Sequence, residues 1–192
     1  MGRLFLLVFF FSFLLVCCKS PDTPLPRAYF RIALPEKDYR YFDEGFPYSF
    51  AYPVYAGVLP DTRETAEPYW SDIVYPEFSG RIHLSYKPVA GQRELFGLFE
   101  DARTFVHRHI PKATAIREEV IVYPDRRVYG MLYHIRGKEA ASPIQFYLTD
   151  SLDHFLRGAL YFHVRPNNDS LAPVIEFIEE DIRHLFYTLE WQ

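Results

Sequence analysis

The chain has 192 residues, 49% of them hydrophobic and 18% aromatic, and a formal charge of −4. Mild acidity without clustered Lys and Arg argues against phosphate-backbone binding, so nucleic acid is not an expected partner. Both cysteines, Cys17 and Cys18, lie at the end of the N-terminal apolar segment, so the body cannot form a disulfide and depends on core packing.

At the N-terminus, Arg3 precedes an apolar run from Leu4 to Val16 in which only Ser12 is polar. As a helix this run would be about 20 Å long against a hydrocarbon core of about 30 Å, too short to span comfortably. A basic start, a short apolar core and small residues at its end mark a secretory signal. Leu15-Val16-Cys17-Cys18 resembles a lipobox, in which Cys18 is acylated and becomes the new N-terminus. Reading the box one residue earlier would place the bulkier Val16 beside the scissile bond, so Cys18 is preferred to Cys17. The alternatives are an uncleaved anchor or a plain signal peptide. Cleavage leaves about 175 residues, enough for one domain with a sizeable core. It also removes Arg3, taking the charge from −4 to −5.

Residues 18–27 read as a Pro-rich tether, stiff and extended through Pro21, Pro24 and Pro26. From Ala28 aromatics return (Tyr29, Phe30, Tyr39, Tyr41, Phe42), which predicts a segment on the surface of a single domain over 28–192. Tyr48 to Tyr55 reads as a strand, placed at a sheet edge because of Pro53. Tyr69 to Tyr75 and Arg81 to Lys87 read as a strand pair across the turn Pro76 to Gly80. Gln92 to His109 changes period: Leu95, Leu98, Phe99, Ala102, Phe105 and Val106 recur at helical spacing.

Strands are expected at Ala115 to Tyr123, Arg127 to Ile135, Ile144 to Asp150 and Gly158 to Val164, the first two joined by Pro124-Asp125-Arg126. The last element is a helix from about Leu171 to Leu189 with the apolar set Leu171, Val174, Ile175, Ile178, Ile182, Leu185, Phe186 and Leu189. Asp169 or Ser170 is expected to cap it, with Pro173 where a missing N–H costs little. The order predicts an α+β fold, a largely antiparallel sheet of about five to seven strands with two packed amphipathic helices. In element order alone it is similar to the three-layer PsbP and Mog1 proteins.

Residue types that carry chemistry are scattered. His107 and His109, two apart on a helix, point about 200° away from each other and cannot chelate one ion. His83, His134, His154, His163 and His184 are dispersed, so no metal ligands are assigned. Glu176, Glu179, Glu180 and Asp181 read as a solvated helix face, with Glu179 and Arg183 pairing at i and i+4. There is no nucleophile elbow or phosphate loop, and no catalytic residue or cofactor is assigned beyond covalent lipid on Cys18. The tyrosines favour a partner-binding surface over catalysis. Asp150-Ser151-Leu152 and Asp169-Ser170-Leu171 resemble the Asp-Ser/Thr-apolar acceptor of O-glycosylation in exported proteins of gliding bacteria, with helix capping the competing explanation at Ser170.

Several longer segments carry a family resemblance: Tyr29-Phe30-Arg31-Ile32, Val58-Leu59-Pro60-Asp61-Thr62, Glu67-Pro68-Tyr69-Trp70, His154 to Phe162, Asn168 to Pro173 and Thr188-Leu189-Glu190-Trp191. From about Tyr29 to Trp191 the chain resembles the GldD family of gliding-motility lipoproteins. That resemblance implies a cell-envelope lipoprotein, required for gliding and linked to type IX secretion, with no catalytic residues to transfer. Only the lipid-bearing cysteine carries over, to Cys18. Cys17 departs from the usual small residue before it. The implied partners are the membrane, through the lipid, and other gliding or secretion lipoproteins and envelope proteins. The absence of an acidic run in Lys19-Ser20-Pro21-Asp22 favours the periplasmic face of the outer membrane over the cell surface. A non-catalytic assembly component is expected, with an exported hydrolase or glycan-processing enzyme as the alternative.

Overall fold

The computed structural model describes residues 32–192. The signal segment 1–17, the lipid cysteine Cys18, the tether 18–27 and the start of the domain at Ala28 lie outside the described residues.

Strand alternation builds the main sheet. In β5 (Gly80–Pro88), Ile82, Leu84 and Tyr86 are buried on one face, while Arg81, His83, Ser85 and Lys87 share the other. Around it, β3 (Gly57–Pro60), β4 (Ser71–Tyr75), β6 (Ala115–Tyr123), β7 (Val128–Arg136), β8 (Ile144–Thr149) and β9 (His154–Phe162) complete a seven-stranded sheet in the order β3-β4-β5-β9-β8-β7-β6. Every neighbouring pair is antiparallel. The hairpins β4–β5 and β6–β7 turn alike. Each has a Pro-led 3-10 turn closed by a left-handed residue, Ser79 with φ 49° and Arg127 with φ 52°.

Two helices cover opposite faces. Helix α1 (Gln92–His107) buries Leu95, Ala102 and Val106 against the outer face, at Phe155, Tyr147, Tyr133 and Ile135. Helix α2 (Asn168–Thr188) buries Val174, Phe177, Ile178, Ile182, Leu185 and Phe186 in the main core with Ile82, Leu84, Phe146 and Leu156 of the inner face. The α+β class and the two amphipathic helices therefore stand as expected from the periodicity.

A second sheet lies on the inner side. Its order is β1 (Tyr39–Phe42), β2 (Tyr48–Pro53), β10 (Glu190–Trp191), which places β2 at its centre rather than at an edge. Pro53 is tolerated because it ends β2, and the next N–H, of Val54, reaches Asp38 O at 2.9 Å. Helix α2 is joined to this sheet through Thr188, whose Oγ1 accepts the Ala51 N–H at 3.0 Å and donates to His184 O at 2.8 Å.

Several boundaries differ from the sequence reading: β4 begins at Ser71 rather than Tyr69, β2 ends at Pro53 rather than Tyr55, and β9 ends at Phe162 rather than Val164. Helix α1 ends at His107, leaving His109 in the link to a 3-10 turn. Strand β9 begins at His154, not Gly158. Glycine is needed within the strand because a Cβ there would collide with the Phe146 ring, which packs edge-on against Phe186 at 4.8 Å. Helix α2 begins at Asn168 with Asn167 at the cap position, so neither Asp169 nor Ser170 caps it. Pro173 consequently falls inside the helix, beyond the first turn, and removes the intrahelical bond to Asp169 O. Asn168 fixes this start by donating Nδ2 to Gly137 O at 2.8 Å and Ala140 O at 2.9 Å.

Candidate functional site

The face of α1 that carries Leu98, Asp101, Ala102 and Phe105 borders a groove of 290 Å³ against Trp70, β5 and β9. Register dictates what stands on its floor: Ser85 lies opposite Arg157, and Lys87 opposite Phe155. Trp70 is fixed by its indole N–H, which donates to Tyr86 O at 3.0 Å. Lys87 is paired with Glu67 at the mouth.

Arg157 is the unusual member. Its Nη2 donates to Gln145 Oε1 at 2.9 Å, and its guanidinium lies 4.3 Å from the centre of the Phe105 ring. Among the described residues no carboxylate stands within 4.0 Å of it. Burial pulls its pKa below the ordinary arginine value, yet a guanidinium keeps its proton. Gln145 Nε2 donates in turn to His109 Nε2 at 2.9 Å, which requires a neutral ring. Burial, then the charge of Arg157, lowers the His109 pKa to the same end.

Further along the same sheet face, Asp72 of β4 accepts Arg81 Nη1 at 2.9 Å and bonds His83 Nδ1. Ser85 follows on this face, but among the described residues no Ser or Thr hydroxyl bonds a histidine ring. The fold thus assembles an acid–imidazole pair without a nucleophile on it.

The acidic set of α2 is divided by the fold. Glu176 and Glu180 are exposed as expected, and Glu179 pairs with Arg183 at 2.8 Å. Arg183 also grips Glu119 of β6 through bonds of 2.7 and 2.8 Å, and those bonds hold the Glu119 carboxyl down at about 2.

Asp181 departs from the solvated reading, being only 3% exposed. Its carboxylate accepts Lys37 Nζ at 2.7 Å, Tyr39 Oη at 3.0 Å, and Tyr55 Oη at 2.9 and 2.8 Å to its two oxygens. Burial first, then Asp181, raises the pKa of both phenols well above the ordinary tyrosine value. The sequence held a clue in the spacing 174, 177, 178, 181, 182, 185, which puts Asp181 on the apolar stripe. Arg157 carried a similar one, a lone charge between Leu156 and Gly158 in an apolar run.

Ser151 is exposed at a loop tip with φ 69°, and Asp150 beneath it accepts the N–H groups of Leu152, Asp153 and His154 at 2.9–3.0 Å. Burial alone would raise the Asp150 pKa, but these bonds outweigh it and the value is lowered. Ser170 is also exposed, with its Oγ accepting Asn167 Nδ2 at 2.9 Å. The two serines lie on separate elements and form no common site. Among the described residues no group of three His, Cys, Asp or Glu could hold a metal ion, and no helix is long and apolar enough to cross a membrane.

No curated protein matches the chain. The solution structure of cyanobacterial PsbP from Synechocystis sp. PCC 6803 aligns with a TM-score of 0.48 at 9% identity, covering 85% of this chain and 98% of that one. The family model described as gliding motility lipoprotein GldD matches residues 19–191, the whole folded domain and the stretch before it. The chain therefore belongs to the GldD family of gliding motility lipoproteins.

Proposed function

We propose that the protein is a non-catalytic assembly or stabilising component of the gliding and type IX secretion apparatus, held on the periplasmic face of the outer membrane by lipid on Cys18. The family match over residues 19–191 carries this reading. Two or more acyl chains, each contributing about 0.8 kcal/mol per buried methylene, make such attachment effectively permanent. Confinement near the membrane through the tether then raises the effective concentration of the domain beside envelope partners. Deleting the protein should impair both gliding and secretion, while alanine at any single His, Glu or Asp that leaves the domain folded preserves both. Cys18→Ser should leave an uncleaved precursor without acyl mass. A mature N-terminus beyond residue 18 would refute the lipid assignment.

The Asp72–His83 pair favours one competing reading, an envelope hydrolase or glycan-processing enzyme. Under it, His83→Asn should reproduce the deletion in a folded, correctly localised protein. Wild-type gliding and secretion in that variant would remove the pair from consideration. Ser151 is the better of the two proposed glycan acceptors, because Ser170 Oγ is engaged at the start of α2. Intact mass of Ser151→Ala and Ser170→Ala proteins would show which, if either, loses sugar.

A further inference from the structure

We propose that the groove beside α1 captures the C-terminal residue of a polypeptide partner, with Arg157 receiving its α-carboxylate and the Trp70, Leu98 and Phe155 walls receiving an apolar side chain. This deepens the assembly reading and rests on it.

The argument begins with charge. Arg157 brings a full positive charge to the floor of an apolar groove, and nothing among the described residues neutralises it. It is also held in place, with Nη2 tied to Gln145 and its plane against Phe105. With Gln145 and the Tyr161 hydroxyl as its neighbours, the guanidinium keeps N–H groups in excess of its partners, and a planar guanidinium matches a carboxylate, which accepts parallel N–H bonds. The other cation of the groove, Lys87, is already paired with Glu67. Arg108 shares the Phe105 ring at 5.0 Å but does not line the groove, so the groove's own lining presents one uncompensated positive charge, which suits a carboxylate.

Size and rim decide between a free acid and a chain end. At 290 Å³ the groove has room for one side chain with its carboxylate. Asp101 stands exposed on the α1 rim and forms no ion pair among the described residues. A second negative charge on the ligand would be repelled there, whereas a backbone N–H of an incoming chain would be accepted. Carboxylate, apolar side chain and trailing N–H occur together at a polypeptide C-terminus, a recurrent mode of peptide recognition.

Fluorescence anisotropy on the full-length, membrane-extracted protein tests this with three probes: a fluorescein-labelled five-residue peptide ending in phenylalanine with a free carboxylate, its C-terminal amide, and 3-phenylpropionate as competitor. The acid should bind about tenfold or more tightly than the amide, as loss of a charge-assisted hydrogen bond requires. Unlabelled peptide acid should displace the probe at concentrations about tenfold below those 3-phenylpropionate needs, because only the peptide reaches Asp101. Arg157→Gln should erase the acid preference. If that variant melts early, Leu98→Trp, which fills the groove from the helix side, should abolish peptide binding with the fold intact. Equal binding of acid and amide, or an acid preference that survives Arg157→Gln, overturns the proposal. Displacement by 3-phenylpropionate as effective as by the peptide overturns the polypeptide occupant. None of these results touches the deletion phenotype, so failure here and failure of the assembly reading are separable.

Discussion

Asp181 and Arg157 are two charges drawn into one domain from opposite faces of its main sheet, and the chain handles them in opposite ways. Asp181 receives an ammonium and two phenols at 2.7–3.0 Å. Lys37, its counter-ion, also donates to Phe177 O at 2.6 Å and lies 3.4 Å from the centre of the Phe177 ring. That knot is closed on itself, with both carboxylate oxygens engaged and the side chain shut off from solvent. It fastens the segment entering β1 to the middle of α2. Arg157 has one amide oxygen, one aromatic ring and the Tyr161 hydroxyl beside it, no carboxylate within 4.0 Å among the described residues, and a groove in front of it. Polar groups that are satisfied internally hold structure, whereas the half-buried Arg157 keeps its charge facing an open groove.

The strongest test of the contrast uses the same helix stripe. Ile178 is fully buried one turn before Asp181, so Ile178→Asp would introduce a carboxylate there without Lys37 or the tyrosines to receive it. Its expected cost is several kcal/mol, a large share of the roughly 5–15 kcal/mol that stabilises a domain, read from the urea midpoint. Wild-type melting would show that the stripe is not core. Asp181→Ala comes next, at about 3–5 kcal/mol, because Lys37 and two hydroxyls lose their acceptor. A loss below about 1 kcal/mol would mean that the knot opens to water and is not structural.

Acidification provides an intermediate effect with a definite sign. The pKa values of His109, His134 and His184 are lowered from 6.5, by burial foremost, so the folded state keeps them neutral. Their stabilisation is complete above the unfolded value of 6.5 and is lost as pH falls through the folded values. His184 stacks on Tyr39 at 3.7 Å, so His184→Phe keeps the stack and should remove its share of the loss. A second decline, from Glu119, should begin below its ordinary 4.5 and run toward about 2. Chemical denaturation at stepped pH would resolve the two windows, and a stability flat between pH 7 and 5 would refute the histidine contribution.

Smaller effects separate the two sites most cleanly. Tyr55→Phe should cost about 2 kcal/mol, the loss of a hydroxyl shared by both oxygens of a buried carboxylate. Arg157→Met should cost about 1 kcal/mol, since it removes a charge with no counter-ion and keeps an apolar stem but leaves the buried Gln145 Oε1 without its donor. A loss above about 2 kcal/mol from Arg157→Met would make that arginine structural and erase the distinction.

Helices were the most legible part of the fold. The stripes of α1 and α2 could be read because burial recurs with the helical period, and six of the eight residues expected on the α2 stripe are fully buried. The short strands β1, β3 and β10 have four, four and two residues, too few to establish alternation, so only the central strand β2 of the second sheet is legible and the main sheet's edge strand β3 is not. Proline is ambiguous at two positions. At Pro53 a strand end tolerated what an edge position would also tolerate. At Pro173 the packed helix sustains a lost hydrogen bond that a marginal one would not.

The sequence by itself determined the α+β class, the helix stripes, the main hairpins and, through several long segments, the family. Each of these depends on local periodicity or on residue identity along the chain. Only the tertiary structure decided that Asp181 is enclosed by Lys37, Tyr39 and Tyr55, more than a hundred residues away in sequence, while Arg157 is left facing a groove. A charge looks the same in sequence whether its partners are brought to it or withheld. The packing of distant elements supplies the counter-ion at one face of the sheet and omits it at the other.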